Sequence, residues 1–424
     1  MHKYIKITPN FHILLNPVKR FATEVNMTFS SGGAYFEKEN QKGLTHLLEH
    51  TQILQTKKHN KNQLSTLLFE KDLYSNASTD LLTENIVISG HKDYVDDMLD
   101  LILEFSFNPV ITQDALDQEK QIVLREIVQR KGEPNYRLWR LIAENIYKPG
   151  SKDLCEVSGN PEIVERAEIK DLYSIHVRIL ENSHFILSIV GGGVDEDNIL
   201  KKASEYTKSL SSEKTHTIDW KAGNEFQDFK YKAIVSELAH SHCVVTMFIP
   251  CQVHFGNREI REIYSELFFY SREGFFFKKL REELGLVYSV YHGYDESLQM
   301  LRITMIGEID NVEKLLTESI NILKSASKLI KKERLDLIKN YYLKRQEIAS
   351  DNPYTPINFI SNTLLNYGVV QDYAEYLDQI RKIEYKSVIE FANNIITNIG
   401  KARLIVISSN QQIQNLKAEN ILTN

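Results

Sequence analysis

The chain of 424 residues has only three cysteines, Cys155, Cys243 and Cys251. An odd number of widely spaced cysteines argues against a disulfide framework and against a zinc site built from thiolates. Unpaired thiols are typical of a reducing compartment. The sequence therefore predicts a cytoplasmic protein.

Long hydrophobic runs are also missing. No stretch approaches the roughly 18 apolar residues of a membrane-spanning helix, so no membrane span is expected. The first residues, Met1 to Lys6, lack the apolar core of a signal peptide. A formal net charge of −6 argues against a nucleic-acid partner, which would require a basic surface. With 42% hydrophobic and 25% charged residues, the composition is typical of a globular protein of two or three domains.

What the chain does contain is the segment His46-Leu47-Leu48-Glu49-His50 inside a helical pattern. Residues four apart share one face of a helix, so the two histidines can direct ring nitrogens at one point. A catalytic zinc ion takes three protein ligands and a water molecule, and Glu49 is placed to accept a proton from that water. The segment matches the inverted zinc-protease motif, H-x-x-E-H. The alternative is a pair of surface histidines beside a stripe of leucines.

A second helix is predicted from Thr112, its N-cap, to about residue 130. Glu119, Ile122, Val123 and Glu126 fall on one stripe of this helix. Carboxylates among apolar side chains are costly to bury unless they are paired or bind a metal. The alternative is a partly exposed helix whose glutamates pair with nearby lysines and arginines. The two histidines upstream favour the metal interpretation.

With these residues in place, the chain resembles the M16 family of metallopeptidases, the group of mitochondrial processing peptidase, insulysin and pitrilysin. In that family the third zinc ligand follows the second histidine by about 76 residues, which leads to Glu126. A further family glutamate, seven residues earlier, corresponds to Glu119 and implies a carboxylate that orients a ligand. The resemblance also covers the approach to the motif, a strand beside the active site and a later glycine: Ser30 to Gly33, Glu37, Gly43 to Thr45, Asn76-Ala77 and Gly159.

The second half of the chain carries another family-like segment, from Leu280 to Val290. The resemblance implies that Arg281 and Tyr288 contact the substrate backbone. Arg281 is expected just after a helix and Tyr288 in a strand. A guanidinium and a phenol are suitable donors to a carbonyl oxygen that gains negative charge. The alternative is an ordinary helix–loop–strand connection.

The predicted fold class is α+β. The order of elements and the resemblance imply two similar domains of the type seen in LuxS and mitochondrial processing peptidase, related by duplication, each an antiparallel sheet covered by helices. Residues 1–210 are expected to form the zinc-binding catalytic domain, residues 211–224 a linker, and residues 225–424 a second domain with the Arg281 and Tyr288 segment. His240 and His242 lack a carboxylate at useful spacing and are interpreted as ordinary surface or core histidines.

The predicted function is a zinc-dependent metalloendopeptidase that hydrolyses short unfolded peptides, either generally or as the processing of a leader or precursor peptide. His46, His50 and Glu126 would hold one Zn²⁺ per chain, and Glu49 would act as general base. The substrate is expected to add as an extended strand beside Asn76 and Ala77. The expected assembly is a homodimer or a heterodimer with another M16 subunit. Two alternatives remain: a peptide-binding subunit of a heterodimeric processing peptidase, and a zinc-stabilised scaffold with a closed four-ligand site.

Overall fold

The structure is a computed structural model that describes residues 2–208, 223, 225–239, 242–270, 272–296, 298–416 and 422. The chain divides into two compact units. The first unit comprises Met1–Glu133, Cys155–Ile218 and Ser350–Asp372, and the second comprises Pro134–Leu154, Asp219–Ala349 and Tyr373–Asn424. Each unit thus includes a short segment from the other half of the sequence, which the predicted domain boundaries do not contain. The predicted linker, residues 211–224, lies almost entirely outside the described residues.

The regular elements are numbered along the chain. The strands are β1 (Lys3–Thr8), β2 (Phe11–Pro17), β3 (Ala22–Phe29), β4 (Tyr74–Thr79), β5 (Glu84–His91), β6 (Phe185–Gly191), β7 (Tyr231–Val235), β8 (His242–Pro250), β9 (Val287–Asp295), β10 (Met300–Glu308) and β11 (Arg403–Ser408). The α-helices are α1 (Leu44–Gln52), α2 (Lys61–Glu70), α3 (Val95–Phe107), α4 (Gln113–Gly132), α5 (Pro134–Ile146), α6 (Pro161–Arg166), α7 (Ile169–Asn182), α8 (Glu196–Thr207), α9 (Arg258–Ser265), α10 (Val312–Lys324), α11 (Ala326–Leu329), α12 (Lys332–Ser350), α13 (Tyr354–Tyr367), α14 (Tyr373–Lys382) and α15 (Tyr385–Asn398).

The first unit is a six-stranded sheet in the order β1-β2-β6-β3-β5-β4. Only β2 and β6 run parallel, and the other neighbours are antiparallel. Side chains alternate between the two faces of a strand, so Val25, Met27 and Phe29 of β3 enter the core. Leucines of α1 join the same core. The motif helix is therefore anchored on the sheet through its apolar face.

The second unit repeats this plan with a five-stranded sheet in the order β7-β11-β8-β10-β9. Its parallel pair is β7 with β11, and the remaining pairs are antiparallel. Each strand of the second sheet has a counterpart in the first sheet with the same position and direction. The pairs are β7 with β2, β11 with β6, β8 with β3, β10 with β5 and β9 with β4. The α-helices of the second unit occur in a corresponding order, so α9, α12, α14 and α15 correspond to α1, α4, α6 and α7.

The α+β class with two similar units is thus confirmed. Each sheet is mixed rather than wholly antiparallel. The last strand of each sheet in chain order, β6 or β11, follows a series of helices and lies parallel to β2 or β7. Among the described residues, no helix is both long and apolar enough to cross a membrane.

Candidate metal centre

The motif helix α1 is held at its N-terminus by a buried carboxylate. Glu37 accepts hydrogen bonds from the backbone amides of Gly43 at 2.8 Å and Thr45 at 2.7 Å. These amides are among those that a helix leaves without an internal partner, so a carboxylate there satisfies donors and offsets the helix dipole. Gly43 has a φ of +96° and packs so closely on Gly159 that a Cβ at Gly159 would lie 2.1 Å from the Gly43 Cα. Both glycines are therefore needed where α1 begins.

The structure brings His46, His50 and Glu126 together. The Glu126 Oε2 atom lies 3.6 Å from His46 Nε2 and 3.5 Å from His50 Nε2. One ligand atom from each residue lies within 4.8 Å of the others, and no further group of this kind occurs in the described parts of the chain. Two ligands about 2.0–2.1 Å from a tetrahedral zinc ion are roughly 3.4 Å apart, so the contacts to Glu126 fit such an ion. The Glu126 side chain is 45% exposed, which leaves this side of the centre open.

Glu119 lies behind one of the histidines. Its Oε2 atom is 3.1 Å from His50 Nδ1. A neutral imidazole that donates Nδ1–H to this carboxylate keeps the Nε2 lone pair free for a metal. His46 has no such orienting contact, because its Nδ1 atom is buried without a hydrogen-bond partner among the described residues. The two histidines are thus supported unequally.

Glu49 is close to the ligands but is not one of the three that converge. Its Oε2 atom lies 4.0 Å from His46 Nε2. Burial raises the pKa of Glu49, Thr79 and His50 lower it, and Glu126 raises it further. Burial also lowers the pKa of His46 to about 4, with a smaller effect from His50. At neutral pH the His46 ring is therefore neutral, which is the form that can bind a metal.

A second buried carboxyl, Glu84, is close enough to Glu49 to be influenced by its charge and was not predicted from the sequence. Glu84 is 1% exposed, and its Oε1 atom has no hydrogen-bond partner within the described residues. Burial raises its pKa well above the usual range, with a further increase from Glu49 and a decrease from Arg178. A Cβ on Gly32 would lie 2.4 Å from the Glu84 Cβ, so the glycine permits this approach. Arg178 in turn donates a 3.2 Å hydrogen bond to the Thr45 hydroxyl in the first turn of α1.

Asn76 and Ala77 lie on β4, the last strand of the first sheet. Asn76 is exposed, whereas Ala77 points into the core. Strand β4 pairs only with β5 among the described strands and also contacts α1. A sheet edge next to the motif helix is the arrangement on which an extended peptide can add by main-chain hydrogen bonds.

Arg281 and Tyr288 belong to the second unit. Tyr288 lies in β9 as expected, but Arg281 is in the final turns of a π-helical segment, Phe277–Glu283, rather than after a helix. The Arg281 guanidinium donates a 2.6 Å hydrogen bond to the Tyr288 carbonyl, and the Tyr288 hydroxyl bonds to Glu308 at 2.9 Å. Their contact with substrate stays a prediction. His242 begins β8, with its ring 4.8 Å from that of Tyr288, and His240 lies outside the described residues.

Two family models and several curated proteins match this sequence. Residues 17–154 match the family model described as "Insulinase (Peptidase family M16)", and residues 166–342 match "Peptidase M16 inactive domain". A "Non-peptidase homolog YmxG" of Helicobacter pylori is 23% identical over 420 residues, covering 92% of this chain and 89% of the relative. An "Uncharacterized zinc protease" of Rickettsia felis is 21% identical over 387 residues, covering 88% of this chain and 90% of the relative.

Solved structures show the same fold. A protease from Helicobacter pylori superimposes with a TM-score of 0.73 at 17% identity, covering 96% of this chain and 99% of that one. A peptidase M16 inactive domain from Pseudomonas fluorescens gives a TM-score of 0.75 at 12% identity, covering 96% and 98% of the two chains. The two family models together cover well over half of the sequence. The chain belongs to peptidase family M16.

Proposed function

We propose that this protein is a zinc-dependent metalloendopeptidase with one catalytic centre per chain, in the first unit. The observation that carries the proposal is the convergence of His46, His50 and Glu126 beside a fourth residue, Glu49, that stays outside the ligand set. Three protein ligands with an open side are typical of catalytic zinc, whereas structural zinc has four. The residues of the centre fit the ion in spacing and in donor chemistry.

In this proposal His46, His50 and Glu126 hold the zinc ion, and Glu119 fixes the orientation of the His50 ring. A bound zinc ion supplies Lewis-acid chemistry, which makes water a nucleophile near neutral pH and polarises the scissile carbonyl. Glu49 accepts the proton from the attacking water and passes it to the departing amine. Its buried position supports this role, because a raised carboxyl pKa brings the base closer to the working pH.

The substrate in this proposal is a short, unfolded peptide that adds to the free edge of β4 near Asn76 and Ala77. Main-chain pairing tolerates many sequences and requires an extended chain, so a folded protein is a poor substrate. Arg281 and Tyr288 assist by donating to the peptide backbone. The working assembly is a homodimer, or a heterodimer with another M16 chain, in a reducing cytoplasm. The unpaired state of all three cysteines supports the last point.

The second candidate is a peptide-binding subunit that does not hydrolyse its ligand. It is favoured by the printed name of the Helicobacter pylori relative, a non-peptidase homolog, and by the match to an inactive domain in the second half. The intact ligand set and the buried Glu49 favour the peptidase, because a binding subunit has no need of a general base.

The deciding experiment is Glu49→Gln, assayed with a quenched peptide library and with metal analysis. The amide keeps the size of the side chain but cannot accept the proton, so we expect turnover to fall on the order of a hundredfold or more with unchanged zinc content. Glu39→Gln, on a side chain that is 94% exposed, is the matched control and leaves both unchanged. Peptide binding without hydrolysis by the wild-type chain would instead identify the binding subunit.

A further inference from the structure

The second unit has a counterpart for each element around the metal centre. Helix α1 contacts α4, α6, α7 and β4 in the first unit. In the second unit α9 contacts α14 and α15. The π-helical segment that continues α9, Glu266–Tyr270, contacts β9, and its Glu266 is bonded to Arg345 of α12. These are the elements that correspond by order in the chain and in the sheet. The same point of the fold can therefore be compared in both units.

At this point of the fold the second unit has acidic side chains where the first unit has histidines, and a basic side chain where the first unit has a carboxylate. Glu262 and Glu266 are four residues apart, as are His46 and His50. Glu266 is matched to His50 by its contact with Arg345, and not by its distance from the first residue of α9. Arg345 lies thirteen residues after Lys332, the first residue of α12, and Glu126 lies thirteen residues after Gln113, the first residue of α4. The same alignment sets the buried Ile338 against Glu119. The second unit thus has two carboxylates in place of two imidazoles, and a guanidinium in place of the third ligand.

The contacts within the second unit support this comparison. The Arg345 guanidinium donates to the carboxylate of Glu266, whose side chain is fully buried. Burial raises the pKa of the Glu262 carboxyl, Glu266 raises it further, and three neighbouring arginines, including Arg345, lower it. The guanidinium also lies 5.6 Å and 5.4 Å from the ring centroids of Tyr341 and Tyr342. It is therefore fixed by an ion pair and by two aromatic faces.

A buried carboxylate requires a compensating cation or a proton, because desolvation of an isolated charge is too costly. Arginine is suited to this task, since it stays charged and is less strongly hydrated than an ammonium group. We propose that the second unit keeps a cation-binding position equivalent to that of the first unit, and that Arg345 occupies it as a cation supplied by the chain itself. The part concerning the first unit rests on the proposed zinc site.

Two consequences follow. The second unit folds without a metal, and a chelator acts on the first unit alone. The proposed position in the second unit also retains the geometry of a metal centre, so exchanging three side chains there should recreate a metal centre. The second consequence is the sharper test, because only a true positional equivalence predicts it.

The experiment grafts Glu262→His, Glu266→His and Arg345→Glu together into a full-length chain that also carries His46→Ala and His50→Ala. We expect zinc content to rise from about zero in the ungrafted double variant to about one ion per chain in the graft. The matched control carries Lys344→Glu in place of Arg345→Glu and is expected to bind no zinc. A folded graft that binds no more zinc than this control overturns the proposal.

The outcome is independent of the proposed function, because the first site is disabled in every one of these chains. A wild-type chain without zinc would defeat the proposed function, while the graft would still report on the second unit.

If the graft does not fold, the ion pair between Arg345 and Glu266 is tested directly. We expect Arg345→Met to lower the folding equilibrium constant on the order of a hundredfold, and Glu266→Gln in the same chain to recover most of that loss. Lys344→Met, on the neighbouring exposed lysine, is expected to change the constant only slightly. Simple additivity of Arg345→Met and Glu266→Gln would overturn the proposal.

Discussion

The two units share the order and the directions of five strands, yet they differ where α1 meets α4 in the first unit and where Glu266 meets α12 in the second. In the first unit two imidazoles and a carboxylate converge there with an open side. In the second unit a buried glutamate is bonded to an arginine. Corresponding parts of the two units thus carry a candidate metal centre in one case and an ion pair in the other.

The two units also differ in the residues that surround this position. The first unit has Glu84 at the start of β5, whereas the second has Met300 at the start of β10. Glu119 faces His50, whereas its counterpart Ile338 is an ordinary core residue. The first unit therefore carries buried polar groups that packing does not require. Such groups cost stability and are retained where they serve a site.

The largest expected effect comes from removing a zinc ligand of the first unit and the corresponding residue of the second. His50→Ala should remove zinc and reduce hydrolysis to background, because two remaining ligands do not hold a catalytic ion. The corresponding change in the second unit, Glu266→Ala, should lower stability but leave the zinc content of the folded protein unchanged. Metal analysis of the two purified variants distinguishes them. Loss of zinc in the Glu266 variant would show that the units are not independent in metal binding.

A smaller effect is expected from Glu119→Gln. The amide no longer supplies a negative charge to His50 Nδ1–H, so zinc affinity should fall about 10- to 100-fold. Competition with a chromophoric chelator measures this affinity. Asp114→Asn in the first turn of the same helix is the control and should leave it unchanged. An unaltered affinity in the Glu119 variant would remove the residue from the metal centre.

The smallest expected effect concerns Glu84 and the pH dependence of stability. Its folded pKa is raised by burial, so its contribution is most favourable below the unfolded pKa and is lost as the pH rises through the folded pKa. Glu84→Gln should therefore be more stable than wild type at pH 8, by on the order of 1 kcal/mol, and the difference should shrink toward pH 4. Denaturant unfolding at several pH values measures it. A wild-type chain that gains stability relative to the variant as pH rises would contradict the direction.

Much of the fold could be predicted from local patterns. Helix α4 begins directly after its predicted N-cap, Thr112, because a cap is a local signal. The exchange of α5 and α13 between the units was missed, since it depends on packing over long sequence distances.

The residues of the site also divide into those that the sequence motif predicts and those that only the folded structure reveals. The motif and the family spacing led to His46, His50, Glu119 and Glu126, and the structure brings these four residues together. The roles of Glu84 and Arg178 depend on contacts across the fold, and no motif marks them. The Glu266–Arg345 pair could not be found from sequence, because its partners are 79 positions apart and its meaning comes from the comparison of the two units.

The zinc content of the purified wild-type chain, measured together with peptide hydrolysis, tests whether the first unit is a catalytic metal centre. We expect about one zinc ion per chain, lost on chelation together with hydrolysis and restored with it when zinc is returned. Replacement of His46 and His50 should abolish both, while Arg345→Met should spare the zinc. A chain that hydrolyses peptides without bound metal, or that keeps its zinc after both histidines are replaced, would contradict the account.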